Sequence, residues 1–259
     1  MSEPRLHHAL PERRHESPWW SIHEARYRFA CEHVDGDTLL DIACGTGYGI
    51  PIVSNAVPYT VGIDIDQGAL QSARAEIKGT NSSLIRADGC ILPFGDGVFN
   101  SIVSFETIEH LDDAPRFVSE LARVLAPGGV CLISTPNANY TLPQNGKPRN
   151  PYHVREYTPR EFAELLRGYF RSVDLIAQRL SPVFRISPFW DDQQKLRKPV
   201  EVFRLIVWRI LKRAPRRTRD PLSHAILGQP FIPSASDYEF VRSVDGDGPT
   251  QLAVCTNLR

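Results

Sequence analysis

The stretch Leu39-Leu40-Asp41-Ile42-Ala43-Cys44-Gly45-Thr46-Gly47-Tyr48-Gly49 decides how this chain folds. Thr38 to Ile42 is a short apolar run, the pattern of a buried strand. Gly45 and Gly47 then let the backbone turn sharply beneath a ligand. A helix-compatible segment follows, from about Tyr48 to Asn55. Strand, glycine-rich turn and helix are the means by which an open α/β sheet presents a nucleotide-like ligand.

The residues around the glycines narrow that ligand. A dinucleotide turn has the spacing G-x-G-x-x-G, but the third position after Gly47 is Ile50, and the extra glycine is Gly49. No Lys-Ser or Lys-Thr pair follows, so a phosphate-cradling P-loop fails as well. Asp41, where the strand meets the turn, would repel a pyrophosphate and suits a ligand with an ammonium and a sulfonium. S-adenosylmethionine carries both.

Composition sets the frame. The 259 residues suffice for one sizeable core and a small subdomain. Lys+Arg and Asp+Glu number 30 each, so no global field points to nucleic acid or to acidic partners. Cys31, Cys44, Cys90, Cys131 and Cys255 form neither a CxxC pair nor a spaced framework, which reads as reduced thiols in a cytoplasmic protein. The N-terminus has no apolar signal core, and no run approaches the roughly 20 apolar residues of a membrane span.

Residues 1 to about 18 are polar and proline-punctuated; with the helix-like segment Ile22 to Glu32 they make a region, 1–36, expected as helix and flap over the cofactor site. His23, Arg26, Tyr27 and Phe29 are candidates to cover the pocket. The plain alternative is a helix packed on the sheet, with Trp19 and Trp20 filling a groove. A second strand, Tyr59 to Asp64, ends in an acid about 20 residues past the glycines, where doubly wound sheets hold ribose hydroxyls. Asp66 reads as the cap of a helix from about Gln67 to Lys78, which stops at Gly79. A third strand, Ser83 to Ala87, leads to Asp88-Gly89-Cys90, where Asp88 either accepts from an adenine amino group or is a turn aspartate. Val98 to Phe105 is the fourth strand; a helix (about Ala114 to Leu125), a stop at Ala126–Gly129 and a fifth strand, Val130 to Ser134, follow. This alternation means a parallel α/β sheet.

The succession LLDIACGTG, VGIDID, RADGCILPF, FNSIVSFETIEHL and LARVLAPGGVCLISTPN resembles the class I S-adenosylmethionine-dependent methyltransferases, from about Ala30 to Asn137 and more weakly to about Gln178. Ala43 departs from the glycine many members have there. The resemblance implies a Rossmann-like methyltransferase fold: a seven-stranded, mostly parallel sheet with an antiparallel last strand and helices on both faces. It assigns Asp41, Gly45 and Gly47 to the methionine moiety, Asp64 to the ribose and Asp88 to the adenine. Tyr27, Ala43, Ile65, Gly89 and Phe105 complete the expected cofactor contacts.

Two clusters bear on the methyl acceptor. Glu106-Thr-Ile-Glu109-His110 follows the fourth strand, and one helical turn would put residues 106, 109 and 110 on a single face. His153 lies in Asn150-Pro-Tyr-His-Val-Arg-Glu-Tyr157, in the long loop after the fifth strand. Both loops open on the carboxyl edge of the sheet, and two carboxylates with two imidazoles can hold a divalent cation. The E-x-x-E-H turn with a downstream histidine resembles two metal-dependent branches, the ubiquinone-pathway O-methyltransferases and the small-RNA terminal 2′-O-methyltransferases. Glu106, Glu109, His110 and His153 are thus candidate ligands of Mg2+ or Mn2+, with Glu109, His110 and His153 carrying the catalysis. The alternative is a metal-free base, His110 or His153; the two readings partly exclude each other, because a metal-bound nitrogen cannot also take a proton.

The loop from Pro136 to Tyr157 carries Asn137, Asn139, Tyr140, Gln144, Asn145 and Arg149; its amides and aromatic suit a hydroxyl-rich acceptor, and the same composition fits any surface loop. It ends in Thr158-Pro-Arg-Glu161, a capping box that starts a helix from Arg160 to Arg167. The string TPN…NPYHVREYTPREF resembles bacterial methyltransferases of polysaccharide and glycolipid pathways. The expected activity is O-methylation of a sugar, oligosaccharide or glycolipid, as in polymethylated polysaccharide synthesis. A quinone, phenol or RNA 2′-hydroxyl acceptor is the alternative, and a non-catalytic cofactor-binding module is a different class of answer.

A sixth strand (Ser172 to Leu180) and an antiparallel seventh (about Gln251 to Thr256) complete a core of 37–180 plus about 236–259. Residues from about 181 to 235 are an insertion. Within it Val200, Phe203, Val207 and Ile210 recur at helical spacing ahead of the basic run Arg213 to Arg219. That makes it an acceptor lid or homodimer element, a peripheral membrane contact, or an RNA-binding element.

Overall fold

Five apolar runs line up as the parallel part of one sheet. β1 (Thr38–Ile42) lies between β2 (Tyr59–Asp64) and β4 (Phe99–Phe105). β3 (Ser82–Arg86) continues beyond β2, and β5 (Leu125–Pro136) beyond β4, all in parallel register. The computed structural model describes residues 18–144, 146–184, 199–242 and 248–257; expectations for residues 1–17, the Trp19 side chain, Asn145 and 185–190 fall outside these.

β8 (Thr250–Thr256) enters between β5 and β6 (Ser172–Leu180), antiparallel to both. The order is β3-β2-β1-β4-β5-β8-β6-β7, an eight-stranded sheet where seven strands were expected. The additional edge strand is β7 (Tyr238–Arg242). Tyr238 is buried, Glu239 to Val241 are half-buried and Arg242 is exposed, and Phe240 stacks on Phe29 with ring centroids 4.3 Å apart. The fifth strand also starts earlier than expected. Leu125 already pairs with Phe99, and the Ala126–Gly129 segment is a bulge inside β5 rather than a stop before it.

Alternation of side chains across the strands feeds two apolar layers. On one face Leu40, Ile42, Ile102 and Ile133 pack with Phe117, Val118 and Leu121 of α4 (Ala114–Val124) and with Phe162 and Leu166 of α6 (Pro159–Arg167). On the other, Leu39, Val103 and Leu132 meet Tyr27, Phe29 and Ala30 of α1 (Pro18–Cys31). α2 (Ile50–Val53) follows the glycine turn, and α3 (Gln67–Glu76) is capped by Asp66, whose side chain accepts from Gly68 N and Ala69 N. α5 (Ala138–Thr141) is a single turn after β5, and the expected capping box at Thr158 and Glu161 opens α6.

The chain divides into two compact units. The first contains Arg26–Arg179 and the C-terminal strand; the second contains Leu180–Glu239 and the start of α1. In the second unit α7 (Pro199–Leu211) packs with α8 (Arg216–Leu227) through Trp208, Leu211, Leu227 and Phe231. α8 occupies what the sequence offered only as a basic run. Clustered arginines and Pro221 hide its helical pattern, and Gly228 at φ 68 ends it.

Candidate active site

β1 delivers Asp41 to the carboxyl edge of the sheet, where it is 1% exposed. Its two carboxylate oxygens face the Tyr27 hydroxyl at 3.2 and 3.0 Å. Burial pushes the Asp41 pKa up to about 7; Asp64 adds to that, and the Tyr27 hydrogen bond opposes it. Tyr27 stands edge-on to Tyr48 and Phe105, at 5.5 and 5.0 Å between ring centroids. A buried carboxylate beside a cluster of aromatic rings fits a small organic cation through its charge. Gly49 makes this possible: a Cβ there would lie 2.0 Å from the Tyr27 ring.

The other expected cofactor residues separate into those that face the site and those that shape it. Asp64 accepts from Gly45 N and Asp66 N, both at 2.8 Å, so it braces the glycine turn while each oxygen keeps a lone pair for a hydroxyl. Ile65, 63% exposed, offers an apolar surface beside it. Asp88 is exposed and accepts from Cys90 N at 2.8 Å, the turn geometry that was its alternative reading. Gly47 and Gly89 are packing glycines: added Cβ atoms would meet Ala73 at 2.6 Å and Phe117 at 2.9 Å. Ala43, in place of the family's glycine, is held at φ 59, and Gly45 lies at φ 56. Ala43→Gly should therefore raise the unfolding free energy by about 1 kcal/mol, as measured by urea denaturation.

At the end of β4 the backbone does something the sequence did not suggest. Glu106 adopts φ 54, and the helical turn begins only at Ile108, as a 3-10 turn over Ile108–His110. Residues 106, 109 and 110 therefore do not share a face. Glu106 turns to Arg26 (3.1 Å) and accepts from the Ser134 hydroxyl (2.9 Å). Of the four candidate ligands expected from the sequence, Glu109, His110 and His153 offer ligand atoms within 4.8 Å of one another, and Glu106 is not in that group.

Glu109 is fully buried. Its Oε2 accepts from the Thr135 hydroxyl at 2.9 Å, whereas Oε1 has no hydrogen-bond partner among the described residues and lies 3.9 Å from His110 Nε2. Burial, with Glu106 nearby, holds the Glu109 carboxyl well above the usual carboxylate range. His110 Nδ1 lies 2.9 Å from the Tyr152 carbonyl and donates to it, which leaves the lone pair on Nε2. His153 Nδ1 is 2.6 Å from Glu156 Oε1, and His153 Nε2 takes the Asn150 side-chain amide at 2.8 Å. The Thr141 hydroxyl donates to the second Glu156 oxygen. Burial would raise the Glu156 pKa, but these bonds from His153 and Thr141 hold it below the ordinary value. Two backbone donors, Val154 N and Arg155 N, clamp the loop onto the Glu109 carbonyl. The two imidazoles meet edge-to-face with centroids 4.9 Å apart.

Residues 40–133 match the family described as methyltransferase domain. Over these residues the chain carries a methyltransferase domain. A Mycolicibacterium smegmatis protein named "Probable S-adenosylmethionine-dependent methyltransferase" is 35% identical over 157 residues, which cover 61% of this chain and 60% of that relative. The chain thus matches about three fifths of that relative's length. A demethylmenaquinone methyltransferase of Corynebacterium kroppenstedtii is 34% identical over 104 residues, 39% of this chain and 44% of its own. The crystal structure of an S-adenosylmethionine-dependent methyltransferase from Thermotoga maritima superposes with a TM-score of 0.61 at 13% identity, covering 95% of this chain and 94% of that one; it shares the fold.

Around the site, sequence reasoning missed Tyr48 as part of the Asp41 surround, Thr135 as the Glu109 donor, and Glu156 with Asn150 as the partners of His153. Only Glu156 left a signal in the sequence. H-x-x-E across a tight turn puts a carboxylate within reach of the imidazole, the usual way of fixing a histidine tautomer. Phe29, a candidate to cover the pocket, belongs to the apolar layer beneath α1.

Proposed function

We propose that this chain transfers a methyl group from S-adenosylmethionine to a hydroxyl of a sugar, oligosaccharide or glycolipid, aided by a divalent cation. The reading is carried by one observation: Glu109, His110 and His153 converge on the same sheet edge that presents Asp41. Asp41 would take the cofactor's ammonium, Asp64 its ribose and Ile65 with Asp88 its adenine. Tyr27, Ala43, Gly45, Gly47, Gly89 and Phe105 would shape that pocket. When bound, the cofactor supplies an activated methyl on a sulfonium, so the protein's task is to align an acceptor oxygen and ease the loss of its proton. Glu109, His110 and His153 would hold Mg2+ or Mn2+, which acts as a Lewis acid on that oxygen. Glu109 Oε1, buried with no hydrogen-bond partner among the described residues and 3.9 Å from His110 Nε2, suits that role. Asn150 must first release His153 Nε2. The exposed rings of Tyr140 and Tyr152, with Asn139, suit a sugar's apolar face and hydroxyl rim.

The test is a panel of sugar and glycolipid acceptors with methyl-labelled cofactor, with and without EDTA. Label entering a sugar hydroxyl only when the metal is present is the expected result; full activity in chelator would remove the metal. Labelling of a quinone instead would favour a second reading, which the demethylmenaquinone relative supports.

Asp41 also sets a pH dependence. Its folded pKa, about 7, lies above the ordinary 3.8, so the fold without cofactor binds the extra proton between those values. Stability of that form therefore falls as pH rises through the window. The ammonium of the cofactor favours the charged carboxylate, so cofactor binding below about pH 7 releases a proton. Affinity should rise up to about tenfold per pH unit on approaching 7 and then level off. Calorimetry at pH 6 in two buffers of different ionisation enthalpy reads that proton directly; identical heats would contradict it.

A further inference from the structure

Helix α7 has two apolar faces, and its own unit uses one. Val207, Trp208 and Leu211 pack against Leu227 and Phe231, with the Trp208 and Phe231 rings stacked at 5.1 Å. The other face carries Val202, Phe203, Ile206 and Ile210, which are 42, 57, 51 and 63% exposed. They stand at i, i+1, i+4 and i+8, the repeat of a single helix face. Single exposed apolar side chains are ordinary; four large ones in a row mark an interaction surface.

Charge identifies the partner. Residues 199–227 carry seven basic side chains against two acidic ones, although the whole chain is neutral. Arg216 and Arg219 pair with Asp220, and Lys212 lies over the Trp208 ring. Arg209, Arg213 and Arg217 are exposed and have no carboxylate partner among the described residues. Arg209 extends the apolar row on α7, Arg213 stands two residues past the end of that helix, and Arg217 follows at the start of α8. A second copy of the chain on this face would bring two such arginine sets together. A layer of anionic headgroups over acyl chains matches both the charge and the apolar row. Among the described residues no helix is long and apolar enough to cross a membrane, so α7 would lie along the surface.

We propose that this face of α7 docks on an anionic lipid membrane, with Val202, Phe203, Ile206 and Ile210 entering the headgroup–acyl boundary and Arg209, Arg213 and Arg217 on the phosphates. The full chain is tested by co-sedimentation with vesicles of phosphatidylcholine alone and with about one third phosphatidylglycerol. Binding to the anionic vesicles should exceed binding to the neutral ones by about tenfold and weaken with salt. The triple substitution Phe203→Glu, Ile206→Glu, Ile210→Glu should abolish it while circular dichroism and cofactor binding stay unchanged. Absence of binding to anionic vesicles at low salt overturns the proposal. So does a triple variant that binds as well as the unsubstituted chain, or a lipid-free dimer that the triple substitution converts to monomer, which would assign the face to a second copy.

Discussion

Replacing Glu109 with glutamine is expected to lower turnover by about a thousandfold while cofactor affinity and fold are kept, because the Lewis acidity of the proposed cation would be worth several kcal/mol. The substitution keeps the shape and the Thr135 bond but removes the anion that Oε1 offers. Its effect on stability runs the other way. The Glu109 pKa in the fold is raised, so in metal-free protein the neutral form stabilises the fold at low pH, and that contribution is lost as pH rises through the raised pKa. Glutamine stays neutral throughout, so the variant should match or exceed the wild type in metal-free melting near neutral pH. Mg2+ or Mn2+ should raise the wild-type melting temperature and leave the variant unchanged. A wild type whose melting ignores both ions would sink the metal reading without touching the methyltransferase one.

Replacing Arg26 with leucine should destabilise the first unit by about 3–5 kcal/mol, the range for breaking a buried ion pair from one side. Arg26 is 1% exposed. Its Nε donates to Gln178 Oε1 at 2.6 Å, Nη1 faces Glu106 at 3.1 Å and Ser134 at 3.5 Å, and Nη2 reaches Thr250 at 3.4 Å. Those partners stand on β6, past β4, on β5 and on β8, so one guanidinium ties together the ends of four neighbouring strands. Lysine should recover only part of the loss, since a single ammonium cannot reproduce the planar fork. Urea unfolding measures both variants; a loss below about 1 kcal/mol would show that solvent at Glu106 compensates.

The parts of this fold legible in the sequence are those that depend on local pattern. β1, β2 and β6 start and end where the apolar runs do, and the Asp66 cap and the capping box at Thr158 are written in their own residues. The rest depends on contacts between distant segments. Glu106 could be placed on a helical face only by assuming regular backbone; its left-handed φ and its pairing with Arg26, from a helix far earlier in the chain, redirect it. His153 could be picked out by type, but its tautomer is set by Glu156 and Asn150 through a loop geometry that spacing does not specify. β7 and α8 were hidden because one is short and the other is masked by arginines and a proline.

The close fit of Tyr27 over Gly49 has a consequence for how such chains can diverge. A ring that fills the space where a Cβ would stand ties position 27 to position 49, although one belongs to the first helix and the other to the turn after β1. Neither can change freely alone. A lineage that places any side chain at 49 must first shrink the residue at 27, and would then give up the hydroxyl that faces Asp41. The two positions should therefore vary together among relatives, and a chain with alanine at 49 should carry a smaller residue than tyrosine at 27.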